Sequence, residues 1–245
     1  MPERLVKQHR HYWEDAEHLL QMAREYEAKV GEGGSDRQDR YYDYWKFRLA
    51  RMSFIARMMA VEALLNNALE VYGREEKYVD LPTMARSFPH REKFPKIPRK
   101  RRGHPLPTPL KWKLYFVPYL CRADSVPERD RFFEYAGGIF AQFTELIAIR
   151  NEFVHARLLT DATGPLTEAA SATARSRPLQ EMVFDRRAGR LTGIIGDAAG
   201  PLCFRLSDAE TCRQIMFDTI RKLDEFLEGR ILDPRFWDAE EIVHR

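Results

Sequence analysis

Cysteine is scarce in this chain, with three in 245 residues: Cys121, Cys203 and Cys212. An odd number without a C-x-x-C pair argues against a disulfide framework and against a zinc knuckle. No apolar run approaches the ~20 residues that a membrane-spanning helix needs. The stretch Met1-Pro2-Glu3-Arg4-Leu5-Val6-Lys7 has no apolar centre to serve as a signal peptide. A soluble, cytoplasmic protein of a reducing compartment, without a membrane partner, is the expectation. Excess charge is lacking too: 40 Lys and Arg stand against 37 Asp and Glu, and a net +3 does not by itself indicate a polyanionic partner. No G-x-x-x-x-G-K-[ST], G-x-G-x-x-G or G-x-S-x-G occurs, so nucleotide hydrolysis and serine-hydrolase chemistry lack support. His9, His11, Glu14, Asp15 and His18 crowd one segment, but His11 and His18 fall two helical turns apart and no H-E-x-x-H is present. Neither a metal nor another cofactor is expected.

Helical periodicity dominates what is there. Residues 3–29 read as a helix with Leu5, Tyr12, Ala16, Leu19, Leu20, Ala23 and Tyr26 on its apolar stripe. Gly31, Gly33, Gly34 and Ser35 end it. A second helix spans about 39–72 and stops at Gly73. Its aromatic start (Tyr41, Tyr42, Tyr44, Trp45, Phe47) reads as a packing surface rather than a base-stacking platform. Residues 110–121 give a short helix, with a break expected at Pro118, and Pro127, Glu128 and Asp130 are placed to open a third long one. Residues 159–179 read as a flexible loop. Strands are expected at 180–185, 190–195 and 202–206, the first two joined by a hairpin turn over 185–190. Ser207 and Asp208 can cap a last helix with the stripe Ile215, Met216, Thr219, Ile220, Leu223, Phe226 and Leu227. The expected fold is mainly α: one domain over 1–245, an up-and-down helical bundle with a small β-hairpin near the C-terminal helix.

The segment Arg150-Asn151-Glu152-Phe153-Val154-His155 stands out. Upstream, Ile139, Phe140, Phe143, Leu146 and Ile147 recur at the spacing of a buried face, and continuing that stripe lands on Arg150. An arginine on a core stripe is expensive to bury unless something pairs with it. That points to a facing helix or subunit with an anionic group between. The alternative places Arg150, His155 and Arg157 at a helix C-terminus, where bases complement the dipole. Asn151 and His155 share a face, whereas Arg150 lies about 140° from His155 at 100° per residue. A long arginine, or a second copy across a dimer axis, has to close that gap.

An R-N-x-x-x-H run ending an apolar helix resembles the signature of the HEPN superfamily, small helical bundles found among prokaryotic ribonucleases and toxins. The segment from Phe54 to Ala68, with its Glu62-Ala63-Leu64-Leu65-Asn66 run, resembles the earlier core helix of such proteins. Pro109-Leu110-Lys111-Trp112-Lys113-Leu114 is similar to the short Lys-Trp element often found between the two helices. The likeness covers roughly residues 45–157. It implies a metal-independent endoribonuclease working as a homodimer, with Arg150, Asn151 and His155 at the site and RNA cleaved to 2′,3′-cyclic phosphate ends. The runner-up is a non-catalytic module that binds nucleic acid, nucleotide or protein. A third reading is a toxin-like subunit of a defence or toxin–antitoxin system, held silent by a separately encoded partner.

Two further groups carry expectations. Glu62 and Asn66 share one side of an otherwise apolar helix, so Glu62 needs a partner. Arg150 or His155 qualifies if the helices pack antiparallel, which makes Glu62 a fourth candidate catalytic residue; Arg57 at the surface is the alternative. Residues 74–109 hold seven of the 14 prolines and ten Lys or Arg against four acids, peaking at Arg99-Lys100-Arg101-Arg102. This basic insertion is either an RNA-backbone contact or a solvated loop.

Overall fold

The computed structural model describes residues 8–32, 34–74, 76–77, 109–122, 133–134, 138–160 and 204–237. Their regular structure is helical: α1 Gln8–Lys29, α2 Asp36–Tyr72, α3 Leu110–Cys121, α4 Gly138–Thr160, α5 Leu206–Phe226 and the single turn α6 Pro234–Trp237. The chain is mainly α, as its periodicity predicts.

Boundaries move where local hydrogen bonding decides them. α2 starts three residues earlier than expected because Ser35 and Gln38 form a reciprocal cap: Ser35 N–H donates to Gln38 Oε1 at 3.1 Å, and Gln38 N–H to Ser35 Oγ at 3.4 Å. α1 stops where Gly31 turns left-handed (φ 81°), its N–H given to Asp39 Oδ1 at 3.0 Å. α4 starts later than expected. Phe133 and Glu134 are not helical, and Gly138 has φ 58°, which no right-handed helix continues through. The expected openers Pro127, Glu128 and Asp130 lie outside the described residues. α3 runs through Pro118 without the expected break. A proline inside a helix costs about 3 kcal/mol, and here both its neighbours, Val117 and Tyr119, are buried and hold the backbone in place.

The expected strands 180–185 and 190–195, and most of the loop 159–179, lie outside the described residues, although residues 159–160 are still helical. Of the strand at 202–206, Phe204 and Arg205 have no regular structure and Leu206 already opens α5. The cause is Asp208, which accepts the Arg205 N–H at 2.8 Å and so closes the first turn from its third helical position. Ser207 lies inside that turn and does not cap it. The hairpin finds no support among the described residues.

The structure divides into two compact units: Met1–Tyr12 with Met59–Ala141 and Phe217–Arg245, and Trp13–Met58 with Gln142–Met216. α1, α2, α4 and α5 contribute residues to both. In the first unit, α3 is buried on every side, from Leu110 through Trp112, Leu114, Phe116 and Leu120. A helix that is apolar all round belongs in a core. His9 is core as well: fully buried, its Nδ1 2.9 Å from Asn67 Nδ2 and its ring edge-on to Trp237 at 5.3 Å. The second unit packs Ala16, Leu20 and Ala23 of α1 with Leu49, Ala50 and Phe54 of α2, Phe143, Leu146 and Ile149 of α4, and Ala209, Cys212 and Met216 of α5. The expected stripe of the last helix is buried at all seven positions, Ile215 through Leu227.

Candidate functional site

Phe153, not Arg150, continues the apolar stripe of α4. The buried positions run Phe140, Phe143, Leu146, Ile149 and Phe153, a three-or-four spacing that passes beside Arg150. Arg150 is only partly exposed, Asn151 is exposed, and Arg150 Nη1 donates to Asn151 Oδ1 at 3.3 Å. The expectation of an arginine on the core stripe is therefore corrected: Arg150 flanks the core. α4 also runs on to Thr160, so the 150–155 run sits in the body of the helix and not at its end. The helix-dipole explanation does not reach Arg150, because that effect fades within the last turn. The helix passes unbroken through His155, whose side chain lies outside the described residues.

Phe153 holds this part of α4 in place. Its ring meets Phe54 of α2 edge-on at 5.7 Å and Phe204, just before α5, edge-on at 5.2 Å. The Arg51 guanidinium lies 5.9 Å from the same ring. Burial, and next the nearby charge of Arg48, hold Arg51 below the ordinary arginine range. Periodicity alone could have flagged Phe153, but nothing in the sequence pairs Arg51 with it.

Glu62 and Asn66 meet at Lys113 of the Lys-Trp segment. Lys113 Nζ lies 2.8 Å from Asn66 Oδ1 and 3.5 Å from Glu62 Oε1, tying α2 to α3 within the first unit. Burial holds the Lys113 ammonium below its ordinary range, opposed by the charge of Glu62. Sequence reasoning singled out both segments without joining them. Glu62 belongs to the first unit and Arg150 to the second.

Arg57 corrects a further expectation. It is fully buried rather than at the surface, and its ion-pair partner is Glu17 at 3.1 Å. Arg57 Nη1 also donates to Ser53 Oγ at 2.7 Å, and the guanidinium lies over the Trp13 ring at 5.8 Å. Glu17 accepts from Arg213 as well, at 2.7 Å. Burial raises the Glu17 carboxyl, but its hydrogen bond from Arg213 and the charges of Arg57 and Arg213 outweigh this and leave it below the ordinary carboxylate range.

Of the three cysteines, Cys203 lies outside the described residues, and the other two give no support to thiol chemistry. Cys121 and Cys212 are buried, and burial pushes the Cys121 thiol up to about 12 and the Cys212 thiol up as well. Both stay protonated near neutral pH, so neither is a ready nucleophile. The described start of the basic insertion is packed: Arg74 N–H donates to the Leu120 carbonyl at 3.0 Å, and the nearly buried Lys77 sits over the Tyr119 ring at 5.1 Å. Arg99, Lys100, Arg101 and Arg102 lie outside the described residues. No group of three or more potential metal ligands occurs among the described residues, and no described helix is long and apolar enough to cross a membrane.

Comparison with protein-family models, curated proteins and solved structures finds no match to this chain.

Proposed function

We propose that the protein is a metal-independent endoribonuclease of HEPN type, an up-and-down bundle acting as a homodimer on RNA. One observation carries the reading beyond the short motif: Arg150 and Asn151 lie on the accessible flank of α4 while Phe153 anchors the same turns in the core. Polar groups offered from a fixed helix, and not used as a helix stop, are what a site needs.

In this reading the RNA supplies its own nucleophile. The 2′-hydroxyl attacks the adjacent phosphorus, the bond to the 5′-oxygen breaks, and a 2′,3′-cyclic phosphate remains. His155 takes the 2′-hydroxyl proton or protonates the leaving 5′-oxygen, roles open to a group titrating near neutral pH. Arg150 stabilises negative charge gathering on the phosphate, and Asn151 positions Arg150. Glu62, held by Lys113, is given no step. Positions 150 and 155 lie about 140° apart on one helix, so a second copy supplies the facing group. The same separation favours a second reading, a nucleic-acid-binding module without cleavage.

Incubating the protein with labelled RNA in EDTA separates the two. Cleavage to cyclic-phosphate ends is expected, falling by about 10²–10⁴-fold in His155→Ala and by a comparable factor in Arg150→Ala, with both variants melting within a few degrees of the parent. Binding without cleavage in the parent chain leaves the second reading.

A further inference from the structure

The first half of α2 turns an arginine- and tyrosine-rich face to solvent. At 100° per residue, Arg37, Arg40, Tyr41, Tyr44, Arg48, Arg51 and Met52 lie within about 60° of one line along the helix. The buried residues Leu49, Ala50, Ser53 and Arg57 occupy the opposite side. The exposed large apolar side chains among the described residues are Tyr41, Tyr44, Met52 and Met59, and all belong to α2. Tyr41 is 52% exposed and Tyr44 57%. The sequence expectation of a packing surface holds only in part for these two rings: each touches neighbouring aromatics, yet neither is buried. No acid shares the face: Asp36, Asp39 and Asp43 fall off it, Asp39 accepting from the Gly31 N–H and Asp43 pairing with Lys46 at 2.8 Å.

Tyr41, Tyr44 and Arg48 on this face are held by their neighbours. Arg48 Nη1 donates to the Tyr44 hydroxyl at 2.7 Å, and its guanidinium lies 5.8 Å from the Tyr44 ring and 5.4 Å from that of Trp45. Tyr44 meets Trp45 edge-on at 5.7 Å, and Tyr41 meets Tyr26, Tyr42 and Trp45 at 6.2, 5.7 and 6.2 Å. Fixing large rings and guanidinium groups before binding lowers the ordering cost of recognition. The face leads, through Arg51, to Phe153 of α4.

We infer that this face of α2 is a docking surface for single-stranded RNA, which it guides toward α4. The choice of RNA rests on the proposed ribonuclease reading; the choice of a single-stranded polyanion rests on the face itself. Arginines in a row without acids complement a phosphate backbone. Exposed tyrosines offer flat surfaces to bases, and only unpaired bases leave their own faces free to stack on them. A helical face of about 21 Å, from Arg37 to Arg51 at 1.5 Å per residue, serves several consecutive nucleotides.

The test uses the full chain and a short labelled 2′-O-methyl RNA, which lacks the nucleophile and so survives whether or not the protein cleaves. Fluorescence anisotropy is expected to show Tyr44→Ala weakening binding by about tenfold through the absence of stacking, with Tyr44→Phe staying near the parent. Arg40→Ser with Arg48→Ser is expected to weaken binding and to flatten the slope of log affinity against log salt by roughly 0.7 for each phosphate no longer neutralised. Circular dichroism and light scattering on the same variants are expected to match the parent. Unchanged affinity and slope would overturn the inference. So would a halved molecular mass in the variants, which makes the face a contact between copies, or equal competition by DNA of the same sequence, which removes the preference for RNA. Because the probe cannot be cut, its binding reports on the surface separately from the ribonuclease reading.

Discussion

At the scale of single residues, the most consequential side chain is Arg57, an ion with no measurable exposure. Burial pulls its pKa down, and the charge of Glu17 opposes that pull. Among the described residues its Nε has no hydrogen-bond partner, and the guanidinium is held by Glu17, Ser53 and the Ala16 carbonyl. Removing one partner of a buried pair leaves a charge uncompensated, typically at about 3–5 kcal/mol. Glu17 is itself about one-third exposed, so Glu17→Ala is expected to fall at the low end, about 3 kcal/mol by urea unfolding. Arg213→Ala, which leaves the Arg57–Glu17 pair intact, is expected to cost about 1 kcal/mol or less. The sign of the pH dependence follows from the depressed Glu17 pKa. Its stabilisation is complete above the ordinary carboxylate pKa and is lost as pH falls through the lower, folded value. The gap between parent and Glu17→Ala should therefore narrow in acid; a gap that is constant from about pH 7 to pH 3 would contradict the assignment.

At the scale of elements, α4 carries two different kinds of residue in one short run. Phe153 joins α4 to α2 through Phe54 and to the residues before α5 through Phe204, whereas Asn151 two positions earlier is exposed. Truncating a buried phenylalanine costs about 3–5 kcal/mol, from the transfer term and the cavity left behind. An exposed polar position changes stability by about 0.5 kcal/mol or less. Phe153→Ala is thus expected to shift the urea midpoint strongly and Asn151→Ala hardly at all. Equal shifts would mean that the core does not include this turn of α4. Elsewhere, helix limits follow short-range chemistry: the Ser35–Gln38 cap starts α2, and Asp208 starts α5 by reaching back to Arg205.

For the whole molecule, the proposed site is composite. Positions 150 and 155 lie about 140° apart on one helix, and in the proposed site a self-complementary two-fold contact brings Arg150 of one copy to His155 of another. Light scattering over a dilution series should report about twice the 28.8 kDa chain mass. A chain that cleaves RNA while strictly monomeric at micromolar concentration would remove the composite site and require a different partner for Arg150.

Periodicity determined the helical class, the C-terminal end of α1, the extents of α2 and α3 to within three residues, and a buried stripe along the second half of α5. These depend on residues three or four apart, a spacing the linear chain displays directly. It also located the Glu62–Asn66 side of α2, whereas the Lys-Trp segment was singled out by the family resemblance. Which charges pair was decided only in three dimensions. Glu62 meets Lys113, 51 positions away, and Arg57 meets Glu17, 40 positions away. Such partners are chosen by where helices cross, and helices can cross in several registers with the same stripes buried. For the same reason the position of Arg150 beside the core, and the exposure of Tyr41 and Tyr44, became legible only from the packing. A stripe read at three-or-four spacing passes equally well through Arg150 or Phe153, and only contact with Phe54 and Phe204 selects Phe153.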